Sequence, residues 1–188
     1  MNFGKNVNVE SLESQHNYAR IERERRFLVD PFPRAANVVR IRHINDLYID
    51  GTALRLREQR ESGRPTVFKL TQKVAARAKG AQQGLITNMY LSAEEFFVLA
   101  QLPAKKISKT RYSVPPFGFD VFEGALEGLC LAEAEFDSAA AADALTIPSF
   151  ILAEVTSDDR FTGGALVRTS QSEIRTWLSE YGIRLQSS

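Results

Sequence analysis

The chain has 188 residues, 44% of them hydrophobic and 25% charged, and 24 Lys and Arg against 23 Asp and Glu leave a formal net charge of +1. That length suits one domain with a buried core, and the composition excludes fibrous, collagenous and disordered classes. The charge balance supplies no bulk attraction to nucleic acid or to an anionic membrane, so any charge that matters must be concentrated by the fold. Cys130 stands alone, which rules out an intramolecular disulfide and a thiolate metal cluster and fits a reducing compartment. The first thirty residues hold no apolar leader, and no run of about 18 apolar residues occurs. The expectation is a cytoplasmic protein without membrane contact.

Residues 1–19 show no usable period and read as a flexible N-terminal arm, with a single domain over 20–188. From Arg20 to Phe136, period-two alternation punctuated by turn residues predicts antiparallel strands over 21–29, 46–60, 66–74, 85–91, 107–114, 118–124 and 130–136, with another over 151–157. Asp50-Gly51 can split the second segment into a hairpin. Ser62-Gly63-Arg64-Pro65, Lys79-Gly80, Pro115-Pro116 and the stretch from Gly124 to Gly128 mark the other turns. Two helices announce themselves by capping boxes. Ser92 with Glu95 precedes Phe96, Phe97 and Leu99 and is stopped by Pro103; Ser170 with Glu173 precedes Ile174, Trp177, Leu178 and Tyr181 and ends at Gly182. A third, short helix can start at Ala35 or lie within Ser138 to Leu145.

The chemically informative feature is which residues alternate. A strand's period of two sets Glu22, Glu24 and Arg26 side by side. Arg55 and Arg57 share one face opposite Leu54 and Leu56; Lys69, Thr71 and Lys73 oppose Phe68 and Leu70; Lys109 and Arg111 repeat the spacing; Glu133 and Glu135 face away from Ala132 and Ala134. For any single strand, a charged face that simply meets water is the ordinary explanation. Taken together, like charges in adjacent pairs, and two amphipathic helices that need an apolar sheet face to cover, turn the charged faces inward. The expected fold is mostly β, a closed eight-stranded antiparallel barrel with helices packed outside and an ionic interior able to hold one small ligand. Seven cations (Arg26, Arg55, Arg57, Lys69, Lys73, Lys109, Arg111) and six acids (Glu22, Glu24, Asp120, Glu133, Glu135, Glu154) are candidates for that lumen. Such a set implies a polyanion that arrives with divalent cations, since Arg and Lys grip phosphate oxygens and carboxylates are the hard ligands Mg²⁺ or Mn²⁺ prefers.

The segment Glu22-Arg23-Glu24-Arg25-Arg26-Phe27-Leu28-Val29 resembles the ExExK signature on the first strand of the CYTH superfamily, the triphosphate tunnel metalloenzymes, with arginine in the lysine place. The similarity continues through Leu54-Arg55-Leu56-Arg57, Thr71-Gln72-Lys73, Lys109-Thr110-Arg111-Tyr112, Asp120-Val121-Phe122-Glu123-Gly124, Leu131-Ala132-Glu133-Ala134-Glu135 and Glu154-Val155-Thr156, in the family's order. The resemblance implies an eight-stranded tunnel binding a triphosphate with Mg²⁺ or Mn²⁺, and a single CYTH-like domain over 20–188. It assigns Glu22 and Glu24, with Glu133 and Glu135, to metal, and Arg26, Arg55, Arg57, Lys73, Lys109 and Arg111 to phosphate. Glu22, Glu24 and Arg26 become the catalytic set. Lys69 shares the face of Lys73 outside the matched motif. Asp120 and Glu154 are each open to metal binding or to orienting a basic side chain. Arginine at position 26 keeps the charge but removes a neutral amine as proton acceptor.

The family includes inorganic triphosphatases, thiamine triphosphatases and class IV adenylate cyclases. Because the identifiable residues all recognise phosphate or metal, the preferred reading is metal-dependent hydrolysis of inorganic triphosphate or a small organic triphosphate. Cyclisation of ATP is the alternative. A non-catalytic polyphosphate, nucleotide or RNA-binding module is less favoured, because a pure anion binder gains nothing from Glu22, Glu24, Glu133 and Glu135. A small-molecule partner is expected, nucleic acid is not, and monomer and homodimer stay open. His16 and His43 lack ligand spacing, Cys130 reads as a small buried hydrophobe and Trp177 as core. Phe161-Thr162-Gly163-Gly164 reads as a turn, with closure of one tunnel mouth as its second role.

Overall fold

Alternating segments become strands wherever each can give one face to an apolar layer. The structure is a computed structural model that describes residues 18–29, 37–75 and 82–183. In chain order its elements are β1 (Arg20–Val29), β2 (Arg40–Ile49), β3 (Leu54–Arg60), β4 (Val67–Ala75), β5 (Gln82–Leu91), α1 (Ala93–Leu99), β6 (Ala104–Val114), β7 (Phe117–Phe122), β8 (Cys130–Glu135), α2 (Ala139–Asp143), β9 (Ile151–Glu154), α3 (Gly163–Leu166) and α4 (Gln171–Glu180). The sheet runs β5-β4-β3-β2-β6-β7-β8-β1-β9, antiparallel throughout, and a pairing of β1 with β5 closes the first eight into a barrel. One edge of β1 is shared: Arg20–Glu24 pair with β5, and Phe27–Val29 pair with β9, which lies outside the barrel.

The segment expected over 46–60 is the hairpin β2–β3, turning at Asp50-Gly51, where Gly51 takes φ 71° at no steric penalty. Strand β2 begins earlier than its pattern suggested, at Arg40. There Arg40 and Arg42 occupy the inward parity and the outward Ile41 is exposed, so no apolar face marks the strand. Strand β9 stops at Glu154 rather than 157, because Asp158 caps a 3₁₀ turn at Asp159–Phe161 by accepting from the Arg160 amide. Both capping boxes are made, Ser92 with Glu95 and Ser170 with Glu173. The helix expected within 138–145 is α2, with Ser138 as its cap. Residues 1–17, the alternative helix start at Ala35 and the Lys79-Gly80 turn fall outside the described residues.

Two apolar layers hold the barrel. On the outer wall, Phe27, Phe119, Ala132 and Ala134 are buried with Cys130 beneath the segment that carries Leu145 and Phe150, whose ring lies 5.6 Å from that of Phe119. Helix α1 also packs outside, its Phe96 ring 4.6 Å from Phe68 on β4. The expectation that both capped helices coat the outer wall fails for α4. Its Ile174 and Leu178 pack with Phe161 and Leu166 against Leu28, Ile107, Phe122 and Leu131, residues of inward parity on β1, β6, β7 and β8. Helix α4 and the turn before it therefore seal one end of the barrel with hydrocarbon. Among the described residues no helix is long and apolar enough to cross a membrane.

Ile174 is fully buried in that seal. Ile174→Ala is expected to lower the unfolding free energy by about 2–5 kcal/mol, through lost burial and the cavity left behind. Urea unfolding that shifts the midpoint at constant slope checks this; a change below about 1 kcal/mol would mean the seal carries no stability.

Candidate functional site

Register decides what meets inside the barrel, because residues directly opposite on antiparallel strands point to the same side. Arg26 stands opposite Glu133, and Glu24 opposite Glu135. Arg111 stands opposite Asp120, Arg57 opposite Asp46 and Lys69, and Glu22 opposite Gly84. Glu22, Glu24, Arg26, Arg55, Arg57, Lys69, Lys73, Lys109, Arg111, Glu133 and Glu135 all line one cavity of about 740 Å³. Asp120 is fully buried in the wall beneath it.

Most of the lumen cations have a carboxylate partner. Arg57 makes a bidentate pair with Asp46, both bonds 2.7 Å, and Arg55 approaches the same carboxylate at 3.8 Å. Arg111 makes two 2.6 Å bonds to Asp120, which also accepts from Lys109, and Arg111 reaches on to Glu133. Arg26 lies between Glu24 and Glu133. Lys73 pairs with Glu22 at 2.6 Å. Fixed guanidinium forks of this kind hold their heads in place without help from a ligand.

These contacts split the carboxylates into two kinds. Burial would raise the Asp46 carboxyl, but Arg57 and Arg55 outweigh it and hold the group well below the usual range. Burial likewise opposes ionisation of Glu133, and Arg111, Lys109 and Arg26 overcome it. Glu24 goes the other way: burial and then the neighbouring charge of Glu133 push its carboxyl up, with Arg26 only partly compensating. Glu24 thus stands to gain from another cation.

Glu154 is a correction. Opposite Phe27 in register, it points to the outer wall, where Arg25 holds it with bonds of 2.9 and 2.5 Å and Thr156 donates to it. Its inward placement rested on counting 151–157 as a barrel wall, whereas β9 lies outside. Both Asp120 oxygens are engaged by Lys109 and Arg111, the orienting arrangement. Asp46 and Tyr48 escaped the sequence reading, although a hairpin folded at Asp50-Gly51 sets them opposite Arg57 and Arg55. The Phe161–Gly164 turn does close one mouth. A Cβ on Gly163 would sit 1.9 Å from the Tyr48 hydroxyl oxygen, so only glycine lets this turn settle onto the lumen wall. His43 lies on the outside, where its Nδ1 meets the Thr110 hydroxyl at 3.1 Å.

The carboxylates that would serve a divalent cation are Glu22, Glu24, Glu133 and Glu135, all hard oxygen donors on adjoining strands β1 and β8. The donor chemistry and the raised Glu24 carboxyl fit such an ion. As arranged, however, Glu22, Glu24 and Glu133 each face a basic side chain, and among the described residues no three potential ligands converge on one point.

No family model matches the chain. Its sequence is 33% identical over 153 residues to the inorganic triphosphatase of Nitrosomonas europaea, spanning 77% of this chain and 95% of that enzyme. Its fold is similar to the solved structure of the inorganic triphosphatase NE1496, at a TM-score of 0.52 and 28% identity over 79% of this chain and 95% of that one. A second structure, of the hypothetical protein NE1496, aligns at a TM-score of 0.52 and 26% identity over 79% and 98% of the two chains.

Asp46 is 1% exposed and neutralises the two β3 arginines. Asp46→Ala is expected to destabilise by about 3–5 kcal/mol, since it strands Arg57 as a buried charge. The pair's contribution is fully present above the carboxyl's unfolded value and is lost as pH falls through its depressed folded value. The wild-type advantage over Asp46→Ala, read by urea unfolding, should therefore shrink in acid; a constant difference from pH 7 to pH 2 would contradict the assignment.

Proposed function

The chain belongs to the family of the Nitrosomonas europaea inorganic triphosphatase, and on that premise we propose that it is a metal-dependent triphosphatase acting on inorganic triphosphate or a small organic triphosphate. What supports the reading is one cavity lined by cations that are already held in place and by carboxylates on two adjoining strands. A plain anion site has no use for the second group.

In this reading Arg55, Arg57, Lys69, Lys73, Lys109, Arg111 and Arg26 bind the phosphate chain. Asp46 and Asp120 act as positioning residues, fixing Arg57 and Arg111 so that little reorganisation is needed when phosphate charge shifts during reaction. Glu22 and Glu24, with Glu133 and Glu135, hold Mg²⁺ or Mn²⁺, which when bound neutralises charge on transferred and leaving oxygens. Arg26, always protonated, stabilises charge and does not accept a proton. The apolar seal at α4 leaves entry to the other end of the lumen and limits the water that reaches the cations. The expected reaction is attack of water on the terminal phosphorus, releasing orthophosphate.

Purified protein incubated with inorganic triphosphate, thiamine triphosphate or ATP, with Mg²⁺ or Mn²⁺, should release orthophosphate from at least one of them, and excess chelator should stop it. Glu24→Gln is expected to lower kcat by about 10² to 10³ with the fold intact. Full activity in chelator, or an unimpaired Glu24→Gln, would overturn the metal role. Cyclic AMP and pyrophosphate as the main products from ATP, with no orthophosphate from inorganic triphosphate, would replace hydrolysis by cyclisation.

A further inference from the structure

Lys69 differs from its lumen neighbours in what faces it. Lys73 is held by Glu22 and Lys109 by Asp120, whereas Lys69 makes no ion pair among the described residues. Directly across the β3–β4 ladder stands Arg57, and Tyr90 is its opposite on β5. Arg55 adds a second like charge from β3; Asp46 on β2 and Glu135 on β8 act from farther off, and Asp46 is already committed to the arginines. An ammonium half-removed from water beside two guanidiniums is disfavoured until an anion arrives.

We infer that Lys69 couples triphosphate binding to proton uptake, taking a proton from solvent as the polyanion enters and then pairing with a phosphate oxygen. This rests on the triphosphate reading of the cavity and goes beyond it, because it makes one side chain a determinant of how affinity depends on pH, beside Lys109, whose amine burial also lowers, and Glu24, whose carboxyl burial raises. Burial, followed by Arg57 and Arg55, brings the Lys69 amine down to about 8. A bound polyanion would raise it again. The charged form therefore dominates at pH 7 and is the minority at pH 9, and the apparent affinity falls with the fraction of protein that carries the charge. None of the arginines titrates in this range.

The test is isothermal titration of inorganic triphosphate into the full chain, in chelator so that no turnover occurs, at pH 7 and pH 9, for wild type, Lys69→Arg and Lys69→Gln. The ligand's own ionisation is common to all three proteins. The wild type is expected to lose about tenfold more affinity between the two pH values than Lys69→Arg, whose charge is permanent. Near pH 8 it should also take up about half a proton more per binding event, read from the heats in two buffers of different ionisation enthalpy. Lys69→Gln should match the arginine variant's slope and bind more weakly at pH 7, which keeps the test open should the larger side chain disturb the fold. Equal slopes and equal proton uptake in wild type and variants would overturn the inference and leave the triphosphate site standing. Absence of triphosphate binding by the wild type at both pH values, both in chelator and with Ca²⁺ supplied in its place, would remove the site itself.

Discussion

Burial of a cation without a counter-charge costs several kcal/mol, and all seven cations expected from the strand pattern line the cavity of this barrel. The structure depends on how that cost is met, with carboxylates set between cations instead of one beside each. Asp46 serves Arg57 and Arg55, Asp120 serves Arg111 and Lys109, and Glu133 joins Arg111 to Arg26. Sharing leaves each of these carboxylates with two cations to neutralise, and Arg55 Nε is buried without a hydrogen-bond partner. A barrel with one-to-one ion pairs would be better neutralised and would have less to offer a polyanion.

That arrangement constrains the rest of the fold. The charges meet only because the sheet closes, and closure runs through β1, which shares one edge between β5 and β9 and gives the other to β8. The lumen also changes character along its length. Leu28, Ile107, Phe122 and Leu131 continue the inward faces of the strands that carry Arg26, Lys109, Asp120 and Glu133, but they meet the apolar side of α4. An ionic middle and a hydrocarbon end on the same strands give the tunnel a closed bottom, and the missing side chain of Gly163 leaves room for Tyr48 where the closing turn meets the wall.

Among the described residues, Glu24 and Lys69 are two groups that the ion network leaves incompletely satisfied, in opposite senses. Burial and then the charge of Glu133 weigh on Glu24 more than its arginine offsets, and Lys69 is partly buried beside positive neighbours without a carboxylate in contact. A divalent cation at the first and a phosphate oxygen at the second would relieve both. These are the two ligands that the proposed function places in the cavity.

The strands carrying Glu22 to Arg26, Arg55 and Arg57, Lys69 and Lys73, Lys109 and Arg111, and Glu133 and Glu135 were legible because alternation is a local property: side chains two apart share a face whatever the rest of the chain does. The capping boxes at Ser92 and Ser170 were legible for the same reason, their donors and acceptors lying three residues apart. What the local pattern could not carry was the partner of each strand. Asp46 opposite Arg57 follows from hairpin register, the outward turn of Glu154 follows from β9 joining the far edge of β1, and the place of α4 across the barrel end follows from where eight strands close. From its own spacing the sequence determined which charges share a strand face. Which charges share a cavity, and which of them are left without a partner, only the tertiary structure decided, because that depends on pairings between residues as much as 130 positions apart, such as Arg26 with Thr156.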